Sequence, residues 1–154
     1  MPAVRDNDDG ATEAVVTGEQ IRRGRLRLTR VESTRSPTGQ CVVEVELEFV
    51  EGQRVVGRSE GQASNAGELR IAALAAIEAL ERFANGAFTF ELTGIKGLRA
   101  FDANIVIVSL AMKDGTGGQR LLGSYLADTD LVRSSVIAVL NATNRVLGNY
   151  IATR

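Results

Sequence analysis

The sequence predicts an α+β fold in which a β-β-β-α unit occurs twice, the two copies related by a pseudo-twofold axis, with antiparallel sheets packed against helices. Three observations predict it. Apolar and polar residues alternate along candidate strands, apolar residues recur at steps of three and four along two longer segments, and the whole series returns once. A chain of 154 residues suits one domain, or two small units that share a core.

Residues 1–20 are expected to form a disordered tail, because the stretch around Asp6, Asn7, Asp8, Asp9 and Gly10 is polar and offers nothing to bury. The ordered domain is expected over 24–154, with unit one at 24–85 and unit two at 86–151. Leu26, Leu28 and Val31 stand against Arg25, Arg27 and Arg30 in the first strand. Ser36-Pro37-Thr38-Gly39 then marks a hairpin turn. In the second strand Val43, Val45, Leu47 and Phe49 alternate with Glu44, Glu46 and Glu48, a period of two with one wet face. Its acidic row should face the basic row of its neighbour, each pair adding roughly 0.2–1 kcal/mol. Glu51-Gly52 leads to a third strand, Arg54 to Arg58, and a polar loop over 60–67 leads to a helix from Glu68 to Phe83. Leu69, Ala73, Ala76, Leu80 and Phe83 share one helical face, and Asn85-Gly86 ends it.

The second unit repeats the order: strands at 88–92, 104–112 and 119–125, then a helix from Asp130 to Tyr150. A shift of 62 lays Leu26 on Phe88, Val43 on Ile105 and Val45 on Ile107. After a longer turn over Lys113 to Gly118 the shift becomes 66, which lays Gly57 on Gly123 and Ile71 on Ile137. One unit alone is near the lower size limit for an adequate core, so the two should cover each other. Ile105-Val106-Ile107-Val108 is apolar on both faces, which calls for a cover on both sides; a second protomer is one source of the outer cover.

Composition removes several functions. Net charge is −1, so there is no basic face to displace counterions from phosphates, and nucleic acid is not expected as a partner. No apolar run approaches the roughly 20 residues of a membrane span, so no membrane partner is expected either. Cys41 is the one cysteine, which points to a reducing, cytoplasmic setting. It reads as a small packed residue. There is no His, so imidazole-based triads and His/Cys metal sites are excluded within one chain. Lys96 and Lys113 are the only lysines. The expectation is a protein that is not an enzyme, with no catalytic residue, no metal and no cofactor. Asp128 and Asp130 read as a loop charge and a helix cap rather than an acid–base pair. Asn141 and Asn144 should hydrogen-bond to loops or a partner helix.

The stretch from Asp130 to Arg145 resembles the closing helix of the C-terminal regulatory domain of α-isopropylmalate synthase: an Asp, two aliphatic residues, a small residue and Ser, later Ala, Leu-Asn-Ala and Asn-Arg. Gly123 matches that family's upstream glycine. The resemblance implies the same doubled unit, dimerised, with leucine at the interface, but a chain of this length does not contain the family's catalytic barrel. In unit one the family's glycine-rich loop lies over Gly57-Arg58-Ser59-Glu60-Gly61-Gln62-Ala63-Ser64-Asn65. Gly57 and Gly61 match; Ser59 replaces a Gly, Gln62 the Pro, Ser64 the Asp and Asn65 the Ala. The resemblance therefore nominates Gly57, Gly61, Gln62, Ala63, Ser64, Asn65, Gly123 and Asp130 as ligand-binding residues. The residues alone leave a second reading open, in which Gly57 and Gly61 are turn or bulge glycines. The function expected is a homodimeric, non-catalytic regulatory module that binds a small amino or keto acid. The alternative is an assembly module of the same fold without a ligand.

Overall fold

The computed structural model describes residues 26–49, 52–115, 117–127 and 129–153. The expected tail over 1–20, Glu51 and Asp128 lie outside the described residues. Two antiparallel three-stranded sheets are present, each followed by a helix. Unit one comprises β1 (Arg27–Arg35), β2 (Gln40–Glu48), β3 (Arg54–Gln62) and α1 (Asn65–Ala84). Unit two comprises β4 (Thr89–Ala100), β5 (Ala103–Lys113), β6 (Gly118–Ala127) and α2 (Leu131–Thr153). In each sheet the middle strand of the sequence is also the central strand. The α+β fold with two β-β-β-α units is the one the sequence predicts.

Period two decides the faces of the first sheet. Cys41, Val43, Val45 and Leu47 are fully buried against α1, which turns Glu44, Glu46 and Glu48 outward. Arg27 and Arg54 flank Glu48 at 3.0 and 3.7 Å, Arg30 and Arg54 flank Glu46 at 3.4 and 3.3 Å, and Arg30 also reaches Glu32 at 2.8 Å. This outer face is a paired charge lattice. The hydrogen bond from Arg27, with Arg54 beside it, holds the Glu48 carboxyl below the usual carboxylate range. A depressed folded-state pKa means the contribution is present above the unfolded pKa and is lost as pH falls through the folded one. Melting temperature should therefore drop on acidification below about pH 4, and Glu48→Gln should flatten that drop in a melting series across pH.

The helices are rich in small residues where they meet their sheets. Ala72, Ala73, Ala75, Ala76 and Ala79 of α1 are fully buried, as are Ser135, Val136, Ala138, Val139 and Thr143 of α2. The buried hydroxyls stay satisfied by donating one turn back: Ser134 to the Asp130 carbonyl at 2.7 Å, Ser135 to Leu131 at 2.8 Å and Thr143 to Val139 at 3.0 Å. The helices also touch each other, α1 reaches β4 and α2 reaches β1, so the two units share one core. An aromatic chain closes its lower end. Phe49 and Phe83 lie 5.8 Å apart, Phe83 and Tyr150 6.0 Å, Phe88 and Tyr150 5.4 Å, and Phe88 and Phe90 5.1 Å.

Three element boundaries differ from expectation. The loop expected over 60–67 is short, because β3 runs to Gln62 and α1 starts at Asn65. β4 runs eight residues past Leu92 to Ala100, through Gly94 and Gly97, whose weak strand propensity hides the continuation. Its hairpin turns at Phe101 and Asp102, both with positive φ (54° and 59°), and Phe101 is 97% exposed at the tip.

The repeat also has a different register. Gly57 pairs with Val45 and Gly123 with Val108, so the central strands are related by 63 positions rather than 62. Both first strands carry a ladder irregularity, between Leu28 and Arg30 and between Leu92 and Gly94, which relates them by 64. The counterparts of Val43 and Val45 are thus the fully buried Val106 and Val108, while Ile105 and Ile107 point outward. A slip of one residue exchanges the faces of a strand, and a strand apolar on both faces gives no pattern to detect it.

Candidate ligand site

The nominated glycines on the third strands have a packing explanation. A Cβ at Gly57 would lie 2.5 Å from the Ala79 nitrogen and 3.0 Å from its Cα, and would also strike the Ala75 carbonyl. At Gly123 the clash is with the Ala138 carbonyl, with the Ala142 nitrogen at 2.5 Å and with the Ala142 Cβ at 2.6 Å. Each glycine lets a helix backbone lie directly on its sheet. The same contacts relate Ala75 to Ala138 and Ala79 to Ala142, so the helices correspond at a shift of 63, where the sequence comparison carried 66. A three-residue slip keeps nearly the same helical face, so apolar periodicity does not reveal it.

The rest of the nominated loop is spread along the end of β3 and the start of α1. Gly61 pairs with Cys41 and a Cβ there would touch Ile71 Cδ1 at 3.3 Å. Gln62 is exposed, with its Nε2 donating to Gln40 Oε1 at 3.4 Å. Ala63 donates its N–H to the Gly39 carbonyl at 2.7 Å, and Asn65 is the first residue of α1. Ser64 is the N-cap, its Oγ accepting from the Gly67 N–H at 3.0 Å. Asp130 caps α2 in the same manner, its Oδ1 accepting from the Arg133 N–H at 3.0 Å. Asn141 donates from Nδ2 to the Ser124 carbonyl at 2.9 Å and ties α2 to β6. These groups do not converge on a common point; each has a local role.

A concave site lies elsewhere among the described residues. A cleft of about 810 Å³ opens between the far half of β4, the start of β5, the first turns of α1 and the entry to α2. That volume lies within the roughly 300–1,000 Å³ of small-molecule sites. Leu69 enters from α1 and Thr129 and Leu131 from the approach to α2. Ile95, Lys96, Gly97 and Arg99 line it from β4, with Asn104 from β5. Leu98 and Ile105 line it as well and pair across the ladder on the outer face of the second sheet, so the cleft continues around the β4 edge onto that face. Of the nominated residues none lines it, although Asp130 sits between Thr129 and Leu131. The signal that was available was the pair of cations Lys96 and Arg99, in the stretch between the strands expected at 88–92 and 104–112.

The outer face of the second sheet contrasts with that of the first. Leu122 is 71% exposed, Leu126 65% and Ile107 37%, and with Leu98 and Ile105 they form an apolar patch on a face that also carries Lys96 opposite Ile107 and Ser109 opposite Leu122, and that ends at Ala111 between Glu91 and Arg120. The chain matches no protein-family model and no curated protein. Among the described residues no helix is long and apolar enough to cross a membrane.

Proposed function

We propose that this protein is a non-catalytic regulatory module that binds a small organic acid and acts as a homodimer. The observation that carries it is the cleft at the β4 edge, walled by Leu69, Ile95 and Leu131 and carrying the cationic Arg99 and Lys96 and the amide of Asn104. A largely apolar cleft with a few polar and cationic groups suits a small amphipathic ligand. The resemblance of Gly123 to Leu147 to the regulatory domain of α-isopropylmalate synthase points the same way. Dimerisation is supported by the apolar outer face of the second sheet. The corresponding face of the first sheet is already satisfied by its own ion pairs, so a second copy meeting the apolar face on itself is the economical cover. Because Leu98 and Ile105 belong to both cleft and face, a ligand in the cleft would be felt at the dimer contact.

Thermal melting of the full chain against amino acids, 2-keto acids and short fatty acids tests this reading. A ligand that binds the folded state adds RT ln(1 + [L]/Kd) to stability, about 2.7 kcal/mol at a hundredfold excess over Kd. A saturating rise in melting temperature with one class is expected. A flat panel, together with a concentration-dependent melt, would transfer the function to an assembly module that binds no ligand.

A further inference from the structure

We infer that the cleft is a carboxylate site whose ligand carries an apolar tail and no ammonium group, as in a 2-keto acid or a short fatty acid. The inference rests on the ligand-binding reading above and adds the chemical class and the seat.

The internal repeat supplies the template. In unit one Arg35 is paired across the ladder with Cys41, and its guanidinium holds the Glu68 carboxylate, with Nη2 at 2.6 Å and Nε at 3.1 Å. That carboxylate comes from the first turn of α1. In unit two Arg99 is paired across the ladder with Asn104 at the equivalent register. The helix shift of 63, set by the Ala75–Ala138 and Ala79–Ala142 contacts, puts Leu131 where Glu68 stands. Unit one therefore closes its crevice with an internal carboxylate on an arginine. Unit two has the arginine, has lost the carboxylate and has a cleft in its place. Among the described residues no carboxylate lies within ion-pair distance of Arg99.

A ligand carboxylate on Arg99 restores the arrangement seen in unit one. The guanidinium offers a planar fork suited to two parallel hydrogen bonds. The Asn104 amide stands across the ladder as a donor for a second oxygen, such as a 2-oxo group. The tail then lies against Leu69, Ile95 and Leu131. Among the described residues none lining the cleft is acidic, and Lys96 stands there beside Arg99, so an ammonium brought to these groups would lose water and meet like charge. That discriminates a keto acid from the corresponding amino acid.

Titration calorimetry of the full chain with 4-methyl-2-oxopentanoate, octanoate and leucine tests the assignment. The expected result is saturable binding of a carboxylate lacking an ammonium group, at least tenfold tighter than leucine. Arg99→Met should weaken it at least tenfold, and Arg35→Met, which breaks only the unit-one pair, should leave it unchanged. Leu131→Glu recreates the unit-one pair and should abolish binding while melting within a few degrees of the parent. Leucine binding as tightly as the keto acid would overturn the class but leave the sensor reading standing. Unchanged affinity in both Arg99→Met and a folded Leu131→Glu would overturn the seat. Silence from every compound would overturn the inference and the ligand-binding reading together.

Discussion

Gly123→Ala is expected to destabilise the protein by about 3 kcal/mol or more, at the upper end of overpacking effects. The added methyl would meet the α2 backbone at Ala138 and Ala142, and a helix backbone cannot swing aside as a long side chain can. Relief requires α2 to move off β6. That would loosen Val136 and Val139, which are fully buried, and lengthen the Asn141 hydrogen bond to Ser124. Gly57→Ala should behave alike, since its Cβ meets the α1 backbone at Ala75 and Ala79. Against a typical domain stability of 5–15 kcal/mol, the double variant should be largely unfolded at 37 °C. Gly94→Ala is the control, because a Cβ there has nothing within 4 Å. Its cost should stay below about 1 kcal/mol. Urea unfolding of the three variants checks the ranking. A Gly123→Ala protein as stable as the Gly94→Ala control would refute the close-approach account and return both glycines to the list of ligand contacts.

The second large effect is on assembly. If the proposed homodimer forms through the outer face of the second sheet, Leu122→Lys is expected to convert it to a monomer without lowering the monomer's own stability. Leu122 is 71% exposed in the single chain, so lysine there disturbs little of the core. In a twofold contact every substitution acts twice. Losing the burial of one leucine costs about 1.5–3 kcal/mol, hence about 3–6 kcal/mol for the pair. That weakens the dimer by about 10²- to 10⁴-fold in Kd. Leu126→Lys should act likewise. A lysine replacing Arg54 on the charged face of the first sheet should leave association unchanged. Sedimentation velocity over a range of concentrations reads the outcome. A parent protein that remains monomeric at about 100 μM, a dimer free energy weaker than about −5.5 kcal/mol, would remove the dimer from the functional reading.

The two units were legible because β2 and α1 carry strong, single-faced patterns. The Glu44, Glu46 and Glu48 row leaves only one way to turn that strand, and Leu69, Ala73, Ala76, Leu80 and Phe83 are all buried on the face their spacing defines. Asp130 was read as a cap, and it caps. The candidate site was not legible in the same way. The nominated loop drew on matched glycines, and at Gly57 and Gly123 a glycine answers to helix packing. The cleft instead lies beside residues 93–100, where Gly94 and Gly97 break the apolar pattern and conceal a strand.

Element type, element order and duplication follow from the sequence by itself, because periodicity and turn chemistry act over a few residues at a time. Register between the copies was decided only in three dimensions. A strand apolar on both faces tolerates a slip of one, and a helix tolerates a slip of three, so neither pattern records which residues meet. The cleft depends on that register. Only when Glu68 is superposed on Leu131 and Arg35 on Arg99 does it emerge that one half holds an internal carboxylate and the other half has room for one. That relation spans four separate elements, and tertiary packing alone brings them together.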